Sequence, residues 1–156
     1  MTPAIRQIED LEEALALAPL LDRCAEDALR EFRDDPLPPD VSRRFLERGF
    51  DARETVVLVA EANQERTGGD PVGLCVVGPF ADPLTSEVVP MIVLLHVRQE
   101  ARHRGLARKL VDAARRVLAE RGIKCLAARA GHNDDALISM GERWGFLRTW
   151  ELMLLE

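Results

Sequence analysis

Residues Pro90 to Arg121 constrain this chain more than any other stretch. The run Pro90-Met91-Ile92-Val93-Leu94-Leu95-His96-Val97 is apolar throughout except at His96 and rich in β-branched residues and leucine. That is the pattern of a strand buried on both faces. Further on, Leu106, Leu110, Ala114, Val117 and Leu118 recur at helical spacing, with Arg108, Lys109, Asp112, Arg115 and Arg116 between them. That is the pattern of an amphipathic helix. Gly105 stands where the helix begins. A helix start offers backbone N–H groups without intrahelical partners, and the positive end of the helix dipole. Phosphate is the usual occupant of such a site. A side chain at position 105 would hold a phosphate away from the backbone. The charge agrees: Arg98, Arg102, Arg104, Arg108 and Lys109 stand against Glu100 alone, a local charge of plus four in a chain of formal net charge −6. A polyphosphate ligand accounts for such a cluster on an acidic protein. The turn has neither the ending of a P-loop nor the three-glycine spacing of a dinucleotide fold, so alone it names no ligand.

The 156 residues suit one domain, spanning 1–156, with one core. A hydrophobic share of 47% is too high for a disordered chain. The acidic balance argues against nucleic-acid binding, as does the absence of Tyr among few aromatics. No apolar run approaches the roughly 20 residues that span a bilayer. The N-terminus has no apolar stretch of the kind a signal peptide carries. Cys24, Cys75 and Cys125 lack metal-ligand spacing, and His96, His103 and His132 are isolated, so no metal is expected. Cys75 and Cys125 sit in apolar, strand-like runs and read as small hydrophobes. The expected compartment is the reducing cytoplasm.

The pattern predicts a strand over Ala4–Ile8, then a helix capped by Asp10 that Pro19 kinks or divides in two. Arg30 to Asp40 reads as a loop and Val41–Phe50 as a second, shorter helix. Strands are expected at Thr55–Glu61 and Val72–Val77, joined through a loop at Asn63–Asp70. The prolines within Gly78–Val89 are expected to end the third strand. After the organising helix, Gly122 closes it, and Ile123–Ala130 is a fifth strand. A short helix from Asp134 or Asp135 stops before Gly145, and Leu147–Leu155 closes the sheet. The order implies an α/β domain with helices on both faces of a mixed sheet.

The segment Arg102-His103-Arg104-Gly105-Leu106-Ala107 resembles the Arg/Gln-x-x-Gly-x-Gly/Ala signature of the GNAT superfamily of acyl-CoA-dependent N-acetyltransferases. Leu95 to Glu100 looks like the end of that family's fourth strand, with Gln99 where proline is frequent. Glu142-Arg143-Trp144-Gly145-Phe146 is similar to its Glu-Lys-x-Gly-Phe helix ending. The resemblance implies a mostly antiparallel mixed sheet whose fourth and fifth strands splay apart. It implies acetyl transfer from acetyl-CoA, as acyl-donor cosubstrate, to a primary amine of a small molecule or peptide. It assigns cofactor binding to Leu95, Val97, Arg102, His103, Arg104, Gly105, Leu106, Ala107, Arg108 and Asn133. The pantetheine arm would lie against backbone near Leu95 and Val97, and an N–H near Val97 would polarise the thioester carbonyl. Family members often dimerise, so a homodimer is allowed.

The sequence departs from the family at the chemistry. The frequent general-acid Tyr falls on Gly141 or Met140, neither of which carries a proton. The strand-four Glu that some relatives use as base falls on Met91. Glu87, Asp82 and His96 remain as bases, with Glu87 the assigned one. Simple alternation puts His96 on the opposite face from Met91 and Val97, which reads as a packing position. The missing groups also leave open a non-catalytic acyl-CoA-binding sensor. Acidic loops at Asp34, Asp35 and Asp40, and at Asp82 and Glu87, would suit a cationic acceptor.

Overall fold

The computed structural model describes residues 2–30, 34–62, 70–131, 134–149, 153 and 155. The chain order is β1 (Ala4–Gln7), α1 (Leu11–Ala16), α2 (Ala18–Leu29), α3 (Val41–Gly49), β2 (Val56–Glu61), β3 (Gly73–Ala81), β4 (Val88–Val97), α4 (Leu106–Glu120), β5 (Ala127–Ala128) and α5 (Asp135–Arg143). The sheet runs β1-β2-β3-β4-β5. Its first three pairings are antiparallel and β4–β5 is parallel. This is the mixed, mostly antiparallel α/β arrangement expected.

Each strand of the centre supplies both cores by alternation. Val56, Leu58 and Ala60 face α4, packing with Leu106, Leu110, Ala114 and Leu118. Val57 and Val59 face α1 to α3, packing with Ala14, Leu21, Cys24 and Leu46. Two glycines let helices close on the sheet. A Cβ at Gly73 would sit 3.0 Å from Leu110 Cδ1 and 3.2 Å from Leu106 Cδ2, so its absence seats the start of α4 on β3. A Cβ at Gly78 would collide with the ring of Phe45, which seats α3 on the other face.

Asp10 caps α1 by accepting from the Glu13 N–H at 3.0 Å, and Asp134 caps α5 by accepting from the Leu137 N–H at 3.0 Å. Leu17 separates α1 from α2, and Pro19 lies in the first turn of α2, where its missing N–H costs no helical bond. The division is therefore into two helices. Gly122 follows α4 in the left-handed region at φ 77°, as a closing glycine should. The start of β2 is tied to the end of α4 by reciprocal bonds that no local pattern signals. Arg121 Nη1 donates to the carbonyls of Arg53 at 2.9 Å and Thr55 at 2.7 Å, and Arg53 Nη2 donates to the Arg121 carbonyl at 2.7 Å.

Several boundaries differ from expectation. β3 does not stop at Val77 but continues through Gly78 and Pro79 to Ala81, pairing with β4 as far as Val88. Proline is tolerated there because β2 ends its pairing at Val56↔Val77, leaving that side of β3 an open edge. The fifth strand is two residues long instead of eight. Cys125, expected inside it, is exposed, whereas Cys75 is fully buried in β3. Leu147 to Thr149 are not in a strand, and most of the expected closing strand lies outside the described residues, as does the 63–69 loop.

Candidate active site

The two parallel strands separate early. β4 pairs with β5 only at Met91↔Ala127 and Ile92↔Ala128. Immediately after, β4 carries one extra residue: Val77 opposes Ile92 while Val76 opposes Leu94, so Val93 bulges and is exposed. From Leu94 to Val97 no described strand pairs with the outer side of β4. That outer edge presents defined groups. Arg98 donates its N–H to the carbonyl of Val72, the residue before β3, at 2.9 Å. By antiparallel alternation His96 also turns its backbone polar groups toward β3, and Leu95 and Val97 turn theirs outward. The Val97 carbonyl confirms this parity, since it accepts from Arg102 Nε at 2.8 Å. Val97 and Leu95 thus hold N–H groups toward the gap, next to the start of α4.

The turn into α4 is built from left-handed residues. His103 has φ 60° and Gly105, the N-cap, has φ 74°. Glycine is required at 105 by its backbone angle, since a Cβ there would meet nothing within 4 Å. The same fact shows the turn is open to solvent on that side, with room for a phosphate against the backbone. No side chain caps α4, in contrast to α1 and α5, and its first bond is Lys109 N–H to the Gly105 carbonyl at 3.1 Å. The N–H groups of Leu106, Ala107 and Arg108 therefore precede the helical bonding pattern. The Leu106 side chain is buried in the α4 core, so only its backbone serves the turn.

The cations divide by role. Arg98 pairs with Glu100 at 2.8 Å and Arg108 with Asp112 at 3.5 Å. Arg102 fastens the turn to β4. Among the described residues Arg104 and Lys109 form no ion pair, leaving their charge for an anion at the turn. Asn133 and His132 lie outside the described residues.

Strand β4 brings Leu95 and Val97 together with the turn residues Arg102 to Arg108, but not with Glu87. Glu87 is exposed at the β3–β4 hairpin, one residue before Val88. Five residues of β4 separate it from the bulged Val93, six steps on the order of 20 Å at the usual rise of about 3.3 Å per residue. Asp82 closes that same hairpin. Its Oδ1 accepts from the N–H groups of Thr85 at 2.8 Å and Leu84 at 2.9 Å, and from the Thr85 hydroxyl at 3.1 Å. These bonds, the Thr85 N–H foremost, hold its carboxyl below the usual range. Asp82 is therefore occupied as a turn residue.

The bulge changes the reading of His96. Opposed residues share a face of the sheet. Met91 opposes Gly78, which lies under Phe45 of α3, and His96 opposes Leu74, which packs in the α1–α3 core. Leu95 and Val97 pack toward α4. The extra residue Val93 inverts the alternation, so His96 lies on the same face as Met91, not the opposite one. The sequence carried no signal of this inversion.

Comparison with known proteins agrees with the geometry. The sequence model of the Acetyltransferase (GNAT) family matches residues 21–146. The uncharacterized N-acetyltransferase YhfO of Bacillus subtilis strain 168 is 27% identical over 142 residues, 91% of this chain and 88% of that protein. Among solved structures, the ribosomal-protein-alanine N-acetyltransferase of Brucella melitensis biovar Abortus 2308 superposes with a TM-score of 0.66 at 22% identity, covering 100% of this chain and 99% of that one. AAC(6')-Iy, in complex with the bisubstrate analogue CoA-S-monomethyl-acetylneamine, superposes at 0.67 with 19% identity, covering 100% and 98%. The open strand edge, the glycine turn at the start of α4 and the family match across most of the chain lead to one conclusion: the chain belongs to the GNAT acetyltransferases, which take their acetyl group from acetyl-CoA.

Proposed function

We propose that the acetyl group goes to a cationic primary amine of a small molecule or peptide, which approaches from the α1–α3 side of the sheet. The observation that carries this reading is the parting of β4 and β5 at Val93, beside the uncapped start of α4. In it, the pyrophosphate of acetyl-CoA is held by the N–H groups around Gly105, Leu106 and Ala107, with His103 at the turn and Arg104 and Arg108 beside it. The pantetheine arm lies along the outer edge at Leu95 and Val97, toward Asn133. An N–H near Val97 stabilises negative charge on the thioester oxygen. Acetyl-CoA supplies the activated acyl group, and the protein supplies position and electrostatics.

The charge of the acceptor follows from what lines its approach. Glu26, Asp34 and Asp35 border a groove of about 220 Å³ at the end of α2, with Leu29 and Leu37 as its apolar wall. Arg30 at its rim is drawn to Asp27 at 3.0 Å. Carboxylates over an apolar floor suit the ammonium groups and carbon skeleton of a polyamine-like or amino-sugar acceptor, or the basic end of a peptide. The net charge of −6 disfavours nucleic acid as that acceptor. We place the enzyme in the cytoplasm, a reading supported by three free thiols. Among the described residues no helix is long and apolar enough to cross a membrane.

The test is a panel of amines assayed by free-thiol release from acetyl-CoA. Di- and polycationic amines are expected to exceed their neutral analogues by at least about tenfold in kcat/KM, about 1.4 kcal/mol of transition-state binding. Equal rates for neutral and cationic acceptors would refute the cationic preference. Binding of CoA with no turnover on any amine would refute the catalytic assignment.

A further inference from the structure

We propose that His96 is the base that accepts the proton of the attacking ammonium, directly or through one water. This deepens the proposed acetyl-transfer reading and rests on it. The argument starts from the bulge. Without it, His96 would point to the α4 face, away from any acceptor. With Val93 inserted, its side chain stands on the α1–α3 face while the backbone of its neighbours Leu95 and Val97 faces the gap. One stretch of strand therefore carries the outward N–H groups and, on its acceptor-side face, an imidazole. Met91, which shares that face, is a thioether and takes no proton. Glu87 lies at the far hairpin, and Asp82 is held in its turn.

The surroundings of His96 fit a base more closely than a packing residue. The side chain is half-buried under α2, and among the described residues none hydrogen-bonds to its ring. The charged groups facing it are Arg102 from the turn, Asp27 from α2 and Arg98 at the end of β4, while Leu74 opposite it on β3 is apolar. Burial foremost, then Arg102 and Arg98, hold the imidazole below its ordinary value, and Asp27 opposes them only in part. The neutral ring, which has a nitrogen lone pair to offer, is thus the favoured form. Asp27 accepts from Arg30, which lines the acidic groove together with Glu26, so the groove and His96 share this one ion pair as a neighbour.

The step balances simply. One N–H bond of the ammonium breaks and its proton goes to a ring nitrogen of His96. The freed nitrogen lone pair forms a bond to the thioester carbonyl carbon. The C–S bond breaks with its electron pair on sulfur, which takes the second proton lost by nitrogen and leaves as the thiol. His96 returns its proton to solvent. A thiol pKa of about 8.5 makes side-chain help at sulfur of modest value, which accords with Met140 and Gly141 standing where a proton donor is frequent.

Two measurements on the full chain test this, with the best amine of the panel as acceptor. The first is an NMR titration of the His96 ring, assigned by its loss in His96→Gln. The second is kcat/KM against pH for the wild type, His96→Gln and Glu87→Gln. The wild type should show an ascending limb below pH 7 whose midpoint equals the NMR midpoint of His96. In His96→Gln that limb should vanish and kcat/KM should fall by about 100-fold or more, with CoA affinity by calorimetry unchanged within about twofold. Persistence of the limb in His96→Gln, or its loss in Glu87→Gln, overturns the proposal. Should His96→Gln fail to fold, the wild-type comparison decides: coincident midpoints support His96, and separate ones overturn it. A wild type that acetylates no amine sinks the acetyl-transfer reading itself, a result distinct from an active His96→Gln variant.

Discussion

Cys75 on β3 is enclosed by Val56, Val77 and the residues of α4, and burial pushes its thiol up to about 12. Cys24 on α2 is also buried, and its thiol is raised by burial and by Asp27. Cys125, two residues before β5, is exposed because the strand expected to enclose it is only Ala127–Ala128. Thiolate, not thiol, is the reactive form, and it must be reached by the reagent. Titration of the native protein with an aromatic disulfide at pH 8 should therefore register one fast thiol. Cys125→Ser should abolish that phase, and denaturation should reveal the other two of the three cysteines. A fast phase surviving in Cys125→Ser would show that α2 or β3 opens more readily than its packing implies.

At the scale of elements, the turn between β4 and α4 joins backbone geometry to ligand chemistry. Gly105→Ala leaves the helix start uncapped and meets no neighbour, so its cost is the left-handed angle alone. That cost is about 1 kcal/mol, or a loss of about 2–4 °C in Tm for a chain of this size. Gly105→Glu incurs the same backbone cost and adds a carboxylate at the helix start. Calorimetry should find Gly105→Ala folded but binding CoA more weakly, since its Cβ enters the space a phosphate would take against the backbone, and Gly105→Glu folded and not binding it. Unchanged CoA affinity in folded Gly105→Glu would place the pyrophosphate elsewhere.

The whole molecule is acidic, yet the turn proposed to hold acetyl-CoA is basic. Arg104 and Lys109, which have no ion-pair partner among the described residues, stand against a net charge of −6. Attraction between exposed charges is screened over about 8 Å at physiological salt. CoA, with its phosphates, should lose about tenfold in affinity between low salt and about 0.5 M, while a dephosphorylated pantetheine fragment changes by less than about twofold. Fluorescence or calorimetric titration at several ionic strengths measures both. Parallel salt dependence would mean that the turn binds by shape and backbone alone.

The sequence determined the organising strand, turn and helix, both aspartate caps, the glycine at each end of α4 and the family. These are local: periodicity, capping chemistry and a left-handed glycine are all properties of neighbouring residues. Val111 and Ala113 join the buried face of α4 beyond the residues its spacing suggested, because the sheet covers a wider stripe than one seam. The length of β3 past Pro79 was not legible, since it depends on which side of the strand lacks a partner. Nor was the shortness of β5, whose apolar run is stranded once β4 turns away. The facing of His96 was the largest such decision. One residue, Val93, shifts the register against β3, and a one-residue shift in a strand exchanges its faces. Only the partner strand records that shift, so only the tertiary structure could place the imidazole on the α1–α3 face of the sheet.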